Sequence, residues 1–155
     1  MTHGERAEEL FKKGYNCAQA VTAAFAEDMG MDLDTAARMA SSFGGGVGRL
    51  REICGCVSGM ALVAGILYGY SDPEDTEGKA ELYSLVQELS GEFRKKHGEI
   101  ICRNLLAGIT SDSSPVPEAR TEAYYQVRPC AGFAASAAEI LEKKMKEREK
   151  SPEEV

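Results

Sequence analysis

Apolar residues recur at helical spacing through most of this chain, and no segment shows the alternation of a half-buried strand. Leu10, Phe11, Cys17, Val21, Ala24 and Phe25 mark one face of a first helix, predicted from a capping box at Thr2-His3-Gly4-Glu5 to about Asp28. Gly30 ends it. A second helix is predicted over Thr35 to Phe43, with Asp32 or Asp34 as cap and Ala36, Met39, Ala40 and Phe43 facing inward. Gly44-Gly45-Gly46-Val47-Gly48 stops it, because glycine is costly in helices and frees the backbone to turn. The third runs from about Cys54 to Gly69, where Gly55, Gly59, Gly65 and Gly69 leave room for a neighbouring backbone. Ser71 or Asp72 caps a fourth, with Pro73 at its first position and Glu74 and Asp75 in its first turn, ending near His97-Gly98. A short helix over Glu99 to Ala107 carries Cys102, and Thr110 to Pro117 reads as an exposed polar loop. The last helix starts near Pro129 and passes through Ala134, Ala138 and Leu141 into a charged tail. The expected fold is all-α: a compact single-domain bundle of five to six helices over 1–155, its core at roughly 4–145 and its tail at 146–155.

Charge narrows the function. A formal charge of −7 and a pI near 5 argue against a nucleic-acid binder, which would carry a basic stripe. The lysines near the C-terminus alternate with glutamates between Glu142 and Lys150, as on a solvated helix face. The longest apolar stretch, Val57 to Tyr70, is shorter than the roughly 20 residues a membrane span needs. No apolar signal segment opens the chain, so a cytoplasmic location without membrane insertion is expected. In that compartment static disulfides are rare, and several cysteines point to metal or redox chemistry.

Thiols are the reactive groups this chain owns in quantity: five cysteines against two histidines, with no tryptophan. A thiolate is the nucleophile and the ligand, so a working cysteine needs positive potential nearby. Arg49 and Arg51 precede Cys54, Arg103 follows Cys102, and Arg128 precedes Cys130. Cys54 and Cys130 also fall near predicted helix starts, where free N–H groups favour anions. The bland alternative is that a free cysteine packs as a small buried hydrophobe.

The segments Gly14-Tyr15-Asn16-Cys17-Ala18-Gln19-Ala20-Val21, Phe43-Gly44-Gly45-Gly46-Val47-Gly48-Arg49, Cys54-Gly55-Cys56-Val57-Ser58-Gly59, Cys102-Arg103-Asn104-Leu105-Leu106 and the Cys130 helix stand in one order. In that order the chain, over roughly residues 8–142, resembles the C-GCAxxG-C-C family, to which redox activity is ascribed. The resemblance implies a helical fold and places the four characteristic cysteines on Cys17, Cys54, Cys102 and Cys130. Cys56 stands where such proteins usually carry a small residue, as a neutral swap, a fifth ligand or a resolving thiol. A similar domain in some multihaem cytochromes has its cysteines associated with an iron–sulfur centre. This chain has no Cys-x-x-Cys-His haem attachment motif.

Three roles remain open: an electron-transfer site holding an iron–sulfur cluster, most simply [2Fe–2S]; a metal-free thiol–disulfide redox protein; or a structural zinc module. Lack of Cys-x-x-Cys weakens zinc and ferredoxin-type readings. Within one helix the side chains of Cys54 and Cys56 would diverge by about 200°. Any redox partner is unspecified, a homodimer is compatible with the glycine-faced helices, and enzyme is not distinguished from electron carrier.

The glycine loop lacks the Gly-Lys-Ser/Thr ending of a phosphate loop and reads as a tight turn near Cys54. His97 is expected at a helix C-terminus and His3 in a tail; Tyr124 and Tyr125 are expected to pack one ring and expose the other. Met29, Met31, Met39 and Met60 are expected as core or lid fillers.

Overall fold

The computed structural model describes residues 1–150, which form eight α-helices, one 3-10 turn and no strand. They are α1 (His3–Lys12), α2 (Cys17–Ala24), α3 (Leu33–Ala40), α4 (Gly55–Tyr68), α5 (Thr76–His97), α6 (Cys102–Leu105), α7 (Glu122–Val127) and α8 (Cys130–Lys150); the turn is Ser41–Phe43. All-α is correct, and the helix number is larger than expected for two reasons. The long first helix is broken at Lys13–Asn16, where Asn16 caps α2 in a reciprocal box with Gln19. The second addition is α7, too short for a periodicity to show and capped by Thr121.

Caps move other boundaries. Asp75, not Ser71 or Asp72, caps α5 by accepting from the Gly78 N–H, so Pro73 lies outside the helix. Asp32 caps α3. Gly98 closes α5 at φ 88°, in the left-handed region that glycine enters without steric cost. At the other end of the chain α8 continues to Lys150 rather than fraying at 146; the rest of the expected tail, 151–155, lies outside the described residues.

Helix α2 is the centre of the packing. Six of its eight residues are buried, four of them alanine, and it touches α1, α3, α4 and α8. Small side chains let four helices approach one axis. Helix α4 comes closest: a Cβ on Gly59 would lie 2.9 Å from Val21 Cβ, and one on Gly55 would lie 3.0 Å from the Ala18 nitrogen. Gly65 meets nothing within 4 Å and has no such role, against expectation, and Gly69 faces only its own helix. Phe11, Phe25, Met60, Leu89, Phe93 and Leu141 fill the space around this contact. Met29, Met31 and Met39 are half-buried.

His3 is not in a loose tail. Its ring stacks on Phe25 at 4.1 Å, its Nδ1 meets Glu142 and its Nε2 lies 2.7 Å from Asp28. The contact ties the start of α1 to α8. His97 ends α5 as expected, between Phe93 and Phe133, and is hydrogen-bonded to Ser136 Oγ at 2.9 Å. No helix among the described residues is long and apolar enough to cross a membrane.

Two outcomes test this packing. Gly59→Ala should destabilise by about 1–3 kcal/mol through overpacking against Val21, while Gly65→Ala, with open space around it, should stabilise by about 0.5–1 kcal/mol. Equal effects in thermal unfolding would refute the close approach. The second concerns acid. The His3 side chain beside Glu142 lowers its carboxyl from 4.5 to about 2. A depressed folded-state value adds stability that is present above the unfolded value and lost as pH falls. Stability should therefore drop between about pH 4.5 and 2, and Glu142→Gln should remove that part of the drop in acid-unfolding curves.

Candidate cysteine site

Each of the four cysteines named by the family pattern stands at the start of a helix. Cys17, Cys102 and Cys130 are the first residues of α2, α6 and α8, and Cys54 is the N-cap of α4. The sequence reading placed Cys54 and Cys130 so, but put Cys17 mid-helix; the break at Asn16 is what turns it into a helix start. Neither α4 nor α6 has a side-chain cap; the leading N–H groups of α6 go to the carbonyls of Glu52, Arg51 and Ile101, whereas those of Gly55 and Cys56 in α4 meet no carbonyl and are left for an anion.

Local backbone pairing brings two of them, Cys54 and Cys102, near each other. The segment before α4 runs antiparallel to the one before α6, with a bridge between Ile53 and Ile101. Cys54 N–H donates to the Ile100 carbonyl at 2.8 Å, and Cys102 N–H to the Glu52 carbonyl at 2.6 Å. Cys54 and Cys102 thereby flank the bridge, one on either side of it along the paired segments. A single bridge leaves no alternating pattern, so periodicity could not reveal it.

The glycine loop contributes to Cys17. Gly45, Gly46, Val47, Gly48, Arg49 and Arg51 all have φ between 56° and 74°. Such a run is rare outside glycine, and strained backbone of this kind clusters at functional sites. It aims the Gly45 N–H at the Cys17 thiol and presses Gly44 against Asn16. The expected approach to the Cys54 region also occurs, since a Cβ on Gly55 would lie 3.1 Å from the Phe43 carbonyl oxygen.

Thiol chemistry differs sharply between the cysteines. Hydrogen bonding from Cys130, then from Cys56, holds the Cys17 thiol well below its ordinary range, against the opposing effect of burial. Its partners move the other way: Cys130 and Cys56 are pushed up, first by hydrogen bonding to Cys17 and then by further contacts and burial. Burial also raises Cys102, opposed by the Arg51 guanidinium 3.6 Å from its sulfur. Cys17 is thus the hydrogen-bond acceptor of the group, half-buried while the other four are buried. Cys56 interacts with Cys17 and Cys54 both. The expected divergence of Cys54 and Cys56 is absent because Cys54, with ψ 134°, precedes the helix rather than belonging to it.

Cys17, Cys102 and Cys130 line a cavity of about 260 Å³. Arg49, Arg51, Arg120 and Arg128 line it too. Arg51 serves Cys102, not the Cys54 that follows it in sequence. Arg103 turns outward to Glu52 at 2.6 Å and does not serve the site. Arg120 was not singled out from the sequence: it stacks on Phe11 at 4.3 Å and donates to the carbonyls of Phe11 and Tyr15. Arg128 stacks on Tyr124 at 4.7 Å. Tyr124 and Tyr125 are both half-buried, rather than one packed and one exposed.

The donor set suits soft metals, being all sulfur. Among the described residues, no three His, Cys, Asp or Glu side chains surround a point as ligands to a single ion do. A mononuclear zinc site would need side chains to move.

No curated protein and no solved structure matches the chain. A family model, described as "Putative redox-active protein (C_GCAxxG_C_C)", matches residues 15–144, from just before Cys17 to beyond Cys130. With more than half of its length matched, the chain belongs to the C_GCAxxG_C_C family.

Proposed function

We propose that this protein transfers electrons through an iron–sulfur cluster of [2Fe–2S] type held by Cys17, Cys54, Cys102 and Cys130. The observation that carries the reading is that all four cysteines open helices, and that three of them, Cys17, Cys102 and Cys130, line one cavity. Such a cluster, when bound, supplies reversible one-electron transfer. The chain's own residues supply the setting. The uncapped N–H groups that open α4, with the Gly45 N–H, stabilise negative charge on sulfur. Arg51 and Arg128 add fixed positive charge, and burial of Cys54, Cys102 and Cys130 limits water. Anaerobic reconstitution should give about two irons and two sulfides per chain. Alanine at any of Cys17, Cys54, Cys102 or Cys130 should lose most of that iron, and Cys56→Ala should retain it. No iron or sulfide after reconstitution of the wild type overturns the reading.

The state of Cys17 favours a second reading, a metal-free thiol cycle. The low-pKa thiolate of Cys17 lies against Cys130. Joining the Cys17 thiolate to the Cys130 thiol releases one proton and two electrons, which reduce the disulfide of a partner to a thiol and a thiolate. The cycle predicts a reversible loss of about two mass units on equilibration with oxidised glutathione. Cys130→Ala should abolish it and Cys102→Ala should not. An unchanged mass in the wild type rejects the cycle.

A further inference from the structure

The segment between α6 and α7 crosses the cysteine cavity, held by charge rather than by buried apolar surface. Residues 111–119 are exposed throughout, yet Pro115, Pro117 and Glu118 line the cavity. Arg49 donates to the carbonyls of Ser114 and Val116 and reaches the Asp112 carboxylate at 3.4 Å. Arg51 Nε donates to the Asp112 carbonyl at 2.9 Å. Glu118 lies between two guanidiniums: its Oε1 accepts from Arg128 and is 3.8 Å from Arg49.

The partners of the Glu118–Arg128 pair are unequal. The Arg128 side chain is 6% exposed and that of Glu118 is 42% exposed. A covered guanidinium stays charged at any working pH, so it needs an anion beside it. That anion comes from an exposed segment that buries no apolar side chain, so that only its polar contacts with Arg49, Arg51 and Arg128 hold it down. Once lifted, it leaves Arg128 and Arg49 facing the cavity that Cys17 and Cys130 line. Arg120 is not released, since its donors go to the carbonyls of Phe11 and Tyr15.

We propose that Arg49 and Arg128 form an anion-binding subsite of the cysteine cavity, which Glu118 fills as an internal carboxylate until a small carboxylate-bearing ligand displaces it. The two guanidiniums offer the forked donors that a carboxylate accepts. A cavity of about 260 Å³ has room for a small molecule whose other end lies toward Cys17. The proposal rests on this geometry and not on the cluster, so a chain that takes up no iron leaves it standing.

Iodoacetate and iodoacetamide share one electrophilic carbon and differ in a carboxylate, which makes them matched probes. The full-length chain, reduced and stripped of metal, is alkylated with each, and Cys17 modification is followed by mass spectrometry. In Glu118→Ala, and in Glu118→Gln as the variant that keeps an oxygen beside the covered Arg128, the iodoacetate-to-iodoacetamide rate ratio at Cys17 should rise about tenfold, as one charge-assisted contact gives. The iodoacetate rate should saturate with concentration and fall when acetate is added. Arg49→Gln in the same background should return the ratio to its starting value. An unchanged ratio overturns the proposal. So does a raised ratio with a rate linear in iodoacetate, because a general change of field would give that without a binding site.

Discussion

The alanine-rich helix α2 is enclosed by α1, α3, α4 and α8, and this enclosure sets the terms for the rest of the structure. A helix so covered can carry only small side chains on its crowded faces, and α4 answers with glycines at 55 and 59. The enclosure also decides where Cys17 stands. Asn16 and Gln19 satisfy each other's backbone at the start of α2, so Cys17 is the first residue of a buried helix whose end must open somewhere. The cavity is where it opens.

Electrostatics then follow from the placement. Four helix starts bring partial positive charge to one place, and four arginines add full charges. Two carboxylates, Asp112 and Glu118, offset part of this. The remaining excess favours negative sulfur, whether as one thiolate or as several. It also explains why Cys17, the least covered cysteine, is the one whose thiol is lowered: Cys130, Cys56 and the Gly45 N–H all donate toward it. One member of a close thiol group holds the charge, and its neighbours keep their protons.

Much of this was legible in the sequence, and the limits have physical causes. Helical periodicity and glycine stops located α4, the end of α5 and the start of α8 because those helices are long or sharply terminated. The break before Cys17 was written in Gly14-Tyr15-Asn16 and in the Asn16–Gln19 box, but the apolar face of α2 continues that of α1 closely enough to conceal it. Helix α7 and the Ile53–Ile101 bridge are shorter than any period can reveal. The arginines divide in the same way. Adjacency in sequence suggested Arg103 for Cys102, whereas the backbone pairing turns Arg103 outward and delivers Arg51. Arg120 was not singled out because the carbonyls it donates to, those of Phe11 and Tyr15, lie more than 100 positions away, and only its contacts with Tyr124 and Tyr125 are local.

Cys56 shows why geometry has to qualify a pattern. By sequence it is an extra thiol two residues from a family cysteine, on a helix that should turn it away. In the fold it is wholly buried and interacts with Cys17 and Cys54 together, because Cys54 sits in extended backbone ahead of the helix. Its thiol is raised, so it serves as a proton-bearing donor rather than as a competing anion. A donor on sulfur tunes a redox site without being a ligand, by stabilising the charged form of the atom it faces. Cys56 therefore meets the site from behind: it lies away from the cavity, yet it touches Cys17, the thiol that is held below its ordinary range.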